Sequence, residues 1–596
     1  MAATAIDQFT MVVLRRRFEA AIREMVNALF RSGRSGVLNT AMDFSCCITD
    51  ANHQAISTAL GLPIHVAAID LISRAVERKF GTDIRPGDCF ANNSAYHGNT
   101  HCGDFTLCVP IFIDGQLVFY AIARAHLGDM GFPTPTTYSP LSRDLYEEGL
   151  MLPCVRIQRD FADLTDVLDI CKANIRAPEQ FHGDYLATLA AVRTGERSVQ
   201  GMCAQYGLAT VKLFLEQFQA YSEDMAVAAI KRLPAGKVSG EQRHDSEIPA
   251  YADGIPVRAT LDVDPEAARI VIDLTDNVDN LPLGINLSEA TVTAACRVAV
   301  LTILGPDVPR ATGAFRRIEL KLREGSAVGI PRFPAATSTA TTNLCHVLNS
   351  LVQSLFAGLG DGLGAACSTI GNPASCACVS GTDARYDGRP YANQILMGYW
   401  GGPGVPGHDG WLTFGGAGAQ GMLWQSSVEV AEQQQPVLVE CLELAVDSGG
   451  AGRWEGGPGA HLIYRVRHDP VRFTTNAGGN DFPPFGAGGG QPGGPSKAWA
   501  IGRNHQRTAL RNSADVTLAA GERLESIGCG GGGYGDPLLR EPATVALRAR
   551  EGWISLDRAR NTYGVVLDTR GEQFRVDDPA TQALRATMRA TMKAAE

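Results

Sequence analysis

Apolar and polar positions along this 596-residue chain change period several times, and the changes divide it into segments. Residues 7 to about 35 place Phe9, Val12, Val13, Phe18, Ile22, Met25 and Leu29 at helical spacing, which predicts one amphipathic helix. From there to about residue 160, strand-like runs and hairpin turns dominate. Two runs, Phe105 to Phe112 and Leu117 to Ala125, are almost wholly apolar and joined by Asp114-Gly115, so they read as a buried hairpin. Residues 183–232 read as two helices, the first ending at Gly207. From about 250 the strand-like VRATLDV, ARIVIDLTD and IELKLRE alternate with the helical patches SEATVTAACRVAVLTILG and NLCHVLNSLVQSLFAGL. Beyond 370 the chain is glycine-rich and strand-rich, MLWQSSVEVAEQQQP reads as strand, and the part from about 540 reads as a strand, a turn and closing helices. The expected class is α+β. Residues 1–235 form a strand-rich N-terminal domain, 236–370 an α/β middle domain, and 371–596 a β-rich, Gly-rich C-terminal domain.

Composition narrows this picture. With 45% hydrophobic and 19% charged residues the chain can bury large cores. A net charge of −10 and a pI near 5.7 leave no electrostatic footprint for nucleic acid. No apolar run is long enough to span a bilayer, and Arg15-Arg16-Arg17 marks the N-terminus as a helix of the folded domain rather than a signal peptide. Fifteen cysteines, an odd number scattered through apolar strands, fit a reducing cytoplasm. Cys46-Cys47 and Cys376-Ala377-Cys378 lack the spacing of a four-cysteine zinc site.

The chemistry concentrates in Asn99-Thr100-His101-Cys102-Gly103-Asp104 and Arg124-Ala125-His126-Leu127-Gly128-Asp129. A hairpin sets the start of its first strand beside the end of its second, so His101 and Asp104 should meet His126 and Asp129 at one sheet end. Such nitrogen and oxygen donors suit zinc, manganese or iron. A lone histidine is more often a hydrogen-bonded core or surface residue. Here five of twelve (His53, His65, His97, His101, His126) fall within residues 53–126, which argues for a ligand set. Asp43 is the best local candidate for a fourth ligand, because a carboxylate in an apolar run is costly to bury unpaired; a turn or helix cap is its alternative. Asp129 and His97 are candidates to orient a water or move its proton, Asp129 also to orient an imidazole, and Asn93 and Glu148 to face substrate.

Gly416 to Gly421 and Gly488 to Gly493 match GxGxxG, but the first runs into a strand-like segment and the second contains Pro492. No Walker A or GxSxG sequence occurs, so no nucleotide-binding residues are assigned to this chain. Gly449 to Gly459 and Gly530 to Gly533 are either backbone cradles for a phosphate or tight turns between strands.

The blocks NTAMDFSCCITD, NNSAYHGNTHCGDFTLCVPIF, RAHLGDMG, YEEGLMLPCVRI and ANIRAPEQFHGDYLATLAAVRTGE resemble the hydantoinase B/oxoprolinase family. So do VDSGGAGRWEGGPG, GCGGGGYGDPLLREP and NTYGVVLD, in the same order over about residues 6 to 570. The resemblance implies the B-type component of an ATP-dependent amidohydrolase that opens a hydantoin, 5-oxoproline or lactam. An A-type partner of actin-like fold would bind ATP and Mg, in an (AB)2 hetero-oligomer. It also implies a divalent metal, zinc or manganese, on Asp43, His101, Asp104 and His126, with bicarbonate as a further candidate cofactor. The alternative it leaves open is a component of an acetone- or acetophenone-type carboxylase; a third is an inactive scaffold. Many members read N-D-P-Y where this chain has Asn93-Ser94-Ala95-Tyr96, which alters a loop beside the metal. The NTRNTPVEVLE block appears as Leu423 to Glu432, with Glu429 kept.

Overall fold

The computed structural model describes residues 6–595 apart from 58–60, 247, 370, 376, 413, 415, 417, 420, 421, 512 and 571–573. Cys376 and Gly421 therefore lie outside the described residues.

The first helix, Gln8–Ser32, starts where the Asp7 carboxylate accepts from the Thr10 N–H, and it buries Leu14, Phe18, Ile22, Met25 and Leu29. It lies with the Pro178–Tyr206 helix, which stops at Gly207 (φ +80°), on one face of a seven-stranded sheet. The strands are β1 Phe44–Asp50, β2 Ala55–Ser57, β3 Cys89–Asn92, β4 Asp104–Ile113, β5 Gln116–His126, β6 Val155–Arg159 and β7 Ala162–Asp163, in spatial order β2-β1-β5-β4-β3-β6-β7. Leu107, Val109, Ala121 and Ala123 point to those helices. Cys108, Tyr120 and Ile122 point the other way, onto Ile72, Ala75 and Val76 of the Asp70–Phe80 helix. Burial on both faces is why the hairpin reads as two continuous apolar runs rather than as alternation. The Asp70–Phe80 helix adds to the strands and turns expected to dominate this region; its i, i+3, i+4 apolar set is short and interrupted by charge.

Strands β8 Gly236–His244, β9 Ile255–Asp264, β10 Arg269–Asp273 and β11 Ile318–Lys321 form a second sheet, covered by the helices Glu289–Leu304 and Asn343–Leu355. Its core also takes in Leu62, Ile64 and Ala67, so the segment after β2 belongs physically to both cores.

The C-terminal part stacks two sheets around Val379, Ile395, Leu462, Tyr464 and Phe473. One contains β12 Ala377–Asp383, β13 Arg389–Ile395, β16 Val471–Thr474 and β19 Asp515–Leu518. The other contains β14 Val437–Leu444, β15 Ala460–Val466, β17 Lys497–Ile501, β18 Arg507–Leu510 and β20 Arg523–Ile527. Val428–Gln434 is a helix, not the strand its alternating valines suggested. Ser427 accepts from the Val430 N–H to cap it, Glu429 sits in its first turn, and Pro436 bars continuation. The region after 540 holds two short helices before its strand pair, then the Asp578–Ala595 helix. No described helix is long and apolar enough to cross a membrane. All fourteen described cysteines are free thiols.

The glycine tracts are neither cradles nor simple turns. Segments 401–404, 449–459, 486–494 and 530–535 run side by side and bond through their backbones. Gly402 donates to Trp411, Gly404 to Gly532, Gly450 to Gly531, Gly457 to Gly402, Gly531 to Gly457 and Gly533 to Gln491. These N–H groups are consumed by neighbouring carbonyls, so they cannot hold a phosphate. A Cβ on Gly531 would overlap the Gly402 carbonyl, and one on Gly456 the Gly531 carbonyl. Gly531→Ala should therefore cost at least about 3 kcal/mol of stability. Gly201→Ala, at an exposed helix-interior site with open space around it, should add up to about 1 kcal/mol. Thermal and urea unfolding of both variants check the contrast.

Candidate metal centre

Antiparallel pairing sets Asp104, the first residue of β4, directly opposite His126, the last of β5. Asp43 precedes β1 and accepts the His126 backbone N–H at 3.1 Å, which fixes it beside the same strand end. The turn carrying His101 is held from below. Asn99 Nδ2 donates to the His101 and Asp104 carbonyls at 2.9 and 2.7 Å; Thr106 Oγ1 donates to Asn99 Oδ1 at 2.8 Å, and Arg124 Nε to Thr106 Oγ1 at 3.0 Å. Thr100 donates to Asp104 Oδ2.

His101 Nε2 and His126 Nδ1 both lie 3.2 Å from Asp104 Oδ1, and all three side chains are fully buried. Their ligand atoms fall within 4.8 Å of one another. His101 Nδ1 lies 2.7 Å from the Ser338 carbonyl, an acceptor only, so Nδ1 carries the proton and Nε2 is a bare lone pair. That Nε2 is without a hydrogen-bond partner and faces a carboxylate oxygen. Two imidazoles converging on one buried carboxylate, with an orphaned acceptor lone pair, make a donor set that fits a cation and suits little else. The rings stack on each other at 5.1 Å and on Tyr138 at 5.6 and 5.0 Å. Gly103 leaves the space they need: a Cβ there would sit 2.7 and 2.8 Å from the two Cε1 atoms.

His65, which sequence reasoning counted in the histidine concentration but gave no role, joins the group. Its Nε2 lies 3.5 Å from Asp104 Oδ2 and 3.9 Å from Asp43 Oδ1, and its Nδ1 3.3 Å from Ser45 Oγ. The signal was weak, because the Pro63–Val66 turn reaches the site only by packing against the second core. Burial pushes His65 down to about 3, so it is neutral, and pushes Asp43 up to about 6.

The remaining candidates make other contacts in this structure. Asp129 Oδ1 accepts from Gly131 N–H and Arg176 Nη1, both at 3.0 Å, and Oδ2 from Arg176 N–H at 2.7 Å, so it anchors a loop rather than an imidazole. His97 Nδ1 pairs with Ser94 Oγ at 2.9 Å. Asn93 spends its amide on the carbonyls of Cys102 and Leu150 and on the Leu152 N–H. Glu148 is fully buried and accepts the Thr337 N–H; burial pushes it up to about 8. Asp129 and Asn93 thus serve mainly backbone groups, His97 a buried serine, and Glu148 keeps Oε2 buried without a partner.

Beside the cluster is a cavity of about 40 Å³, lined among others by Asp43, His65, Tyr138, His346, Tyr399 and Trp400, with Leu62, Ile64, Leu396 and Leu423. At that size it admits water, not a ring. His346 Nδ1 accepts the Gly418 N–H at 3.3 Å, which leaves the proton on Nε2; burial pushes the ring down to about 4, so it is neutral. A much larger cavity, about 760 Å³, lies around Arg34, Arg176, Arg389 and Asn393, one residue along β13 from Gln394 of the small one.

Gly103→Ala, which removes no ligand atom, should cut bound metal per chain several-fold, and His101→Ala should abolish it; elemental analysis of purified protein reads both. Glu148 gives a pH signature. Its folded value of about 8 exceeds the unfolded value near 4.5, so the folded state holds the extra proton and stability falls as pH rises between them. Between pH 5 and pH 9 the wild type should lose more thermal stability than Glu148→Gln.

The family model for hydantoinase B/oxoprolinase matches residues 7–537. The chain is 28% identical to the beta component of the caprolactamase of Pseudomonas jessenii over 98% of its own length and 99% of that protein's. Its structure superposes on the ATP-dependent caprolactamase of that organism with a TM-score of 0.87 at 26% identity, covering 98% of this chain and 100% of that one. It is likewise 28% identical to the B-type component of a putative D-/L-hydantoinase of Pseudomonas sp. (strain NS671), over 97% and 98% of the two chains. An acetone carboxylase shares the fold, with a TM-score of 0.86 at 18% identity over 99% of this chain and 84% of that one. The chain belongs to the hydantoinase B/oxoprolinase family.

Proposed function

From that membership we propose that the chain is one component of an ATP-dependent amidohydrolase that opens a neutral cyclic amide or ureide, with ATP used on a separate partner chain. The observation that carries the reading is a buried histidine–carboxylate cluster set beside a chamber lined by no lysine or arginine. The stretches lining the chamber carry no lysine or arginine at all: none occurs in residues 35–73, 125–142, 333–384 or 390–452. The nearest cation, Arg124, is committed to Thr106 Oγ1 and the His65 carbonyl. A lactam or hydantoin ring is larger than this cavity and would enter by parting Leu62, Ile64, Tyr399 and Trp400, which would then meet it as apolar and aromatic surface. The carboxylate of 5-oxoproline would be buried without a partner.

Asp43, His101, Asp104 and His126 would hold the divalent ion, zinc or manganese, with His65 within reach. When bound, it supplies Lewis acidity to a carbonyl or phosphoryl oxygen. The chain's own groups do the rest. The Ser338 carbonyl and Thr137 Oγ1 fix the two imidazoles from outside. Neutral His346 presents an Nε2–H that can donate to the ring carbonyl or to the departing nitrogen. The apolar wall excludes bulk water once it has parted to admit the ring.

The test is coupled ATP hydrolysis by this chain co-purified with an A-type ATPase partner, against lactams, hydantoins and 5-oxoproline, each with and without bicarbonate and a ketone. Neutral rings should be turned over with kcat/KM about 100-fold above 5-oxoproline, the order expected for one unpaired buried carboxylate. ATP consumption coupled only to ketone loss with bicarbonate would replace this reading with the carboxylase one.

A further inference from the structure

A second group of metal-ligating side chains lies far along the sequence from the first, on the outer C-terminal sheet. Cys441 sits on β14 just past an irregularity in the β14–β15 pairing, Glu443 follows two residues later, and His461 on β15 is directly opposite Glu443. The ligand atoms of the three lie within 4.8 Å of one another. His461 Nδ1 is 3.5 Å from Cys441 Sγ and 3.2 Å from Glu443 Oε1. Tetrahedral coordination at ordinary zinc bond lengths separates nitrogen and sulfur by about 3.6 Å, and nitrogen and oxygen by about 3.3 Å. The two distances from Nδ1 already match those spacings.

The other side of the imidazole is taken. Glu525 on the neighbouring strand β20 has Oε1 3.1 Å from His461 Nε2, and its Oε2 accepts from Arg507 Nη2 at 2.7 Å. Glu525 only accepts, so it holds a proton on Nε2 and leaves Nδ1, which faces a thiol and a second carboxylate, as the nitrogen that would turn to a cation on losing its own proton. A carboxylate held by an arginine, behind a histidine whose far nitrogen faces two further donors, is how proteins orient a metal-binding imidazole. Glu443 and His461 both line an open cleft of about 390 Å³, which leaves room for a fourth ligand.

We propose that Cys441, Glu443 and His461 form a second site, for a thiophilic divalent cation of the zinc class, with Glu525 orienting the histidine and the fourth position open to the cleft. The ion would tie β14 to β15 at the pairing irregularity. The site is independent of the cluster at His101 and of the reaction proposed there. Sequence spacing hid it, since C-x-E followed by a lone histidine 18 residues later matches no common metal motif.

Cobalt separates the two sites, because only the second supplies a thiolate. Full-length protein stripped with a chelator is titrated with Co²⁺ and followed by absorption. The wild type should develop a near-ultraviolet thiolate-to-cobalt charge-transfer band that saturates at one equivalent and persists in His101→Ala. Cys441→Ser and His461→Gln should each lose the band while keeping the wild-type circular dichroism spectrum. Glu525→Gln should keep the band but weaken Co²⁺ binding about 10- to 100-fold. Absence of the band in the wild type, or its survival in Cys441→Ser, overturns the site and leaves His461 as an imidazolium bridging two carboxylates.

Discussion

The structure turns on a carboxylate that has no water. Asp104 is fully buried at the end of an apolar hairpin, with a second buried carboxylate, Asp43, nearby. Desolvating such a group costs several kcal/mol unless positive charge or good donors replace the solvent. The donors on hand are Thr100 and imidazoles, and at least one of those presents a lone pair instead of a proton. Arg124, the buried guanidinium behind the turn, donates to Thr106 Oγ1 and the His65 carbonyl, and the carboxylates face imidazoles. The chain from Arg124 through Thr106 to Asn99 fixes the turn below; Ser338, brought in from the residues leading into the Asn343–Leu355 helix, fixes His101 from above.

What could be read in the sequence follows from which of these constraints are local. A two-residue hairpin turn and continuous apolar strands fix a register, and register alone puts Asp104 against His126. His101 and Asp43 follow because they flank those strands. His65 does not, since its short helix reaches the site through the packing of Ile64 into another core. Asn93, Asp129 and Glu148 look chemical in sequence because they are polar residues among apolar ones. In the fold they satisfy backbone groups of irregular segments around the sheet end, which a single sequence cannot distinguish from substrate contact. The Val428–Gln434 helix was missed for a related reason: a side-chain cap and a following proline outweighed two β-branched residues at period two.

The glycine tracts illustrate the same limit and also support the site. Composition shows that backbones approach closely there, but not what they approach. They approach one another, and the lattice they make carries one wall of the chamber. Tyr399 and Trp400 pack with Leu396 and Cys529, and the next residue, Gly401, donates to the Cys529 carbonyl at 3.0 Å. An aromatic wall beside the candidate metal cluster is thus built directly onto closely spaced, mutually bonded backbone.

Desolvation then links cluster and chamber. A wall free of lysine and arginine cannot stabilise an anion, so whatever negative charge enters or develops during the proposed reaction has only the ion held by the cluster to meet it. On this reading an amide activated by phosphorylation arrives carrying charge that the chamber walls repel and the cluster attracts. That gradient places the reacting group at Asp43, His101, Asp104 and His126 and leaves the ring against Tyr399 and Trp400. Lysines in the wall would bind the activated substrate elsewhere and weaken that preference. On this reading the absence of lysine and arginine from residues 333–384 and 390–452 shapes the site as much as the convergence of His101, Asp104 and His126 beside it.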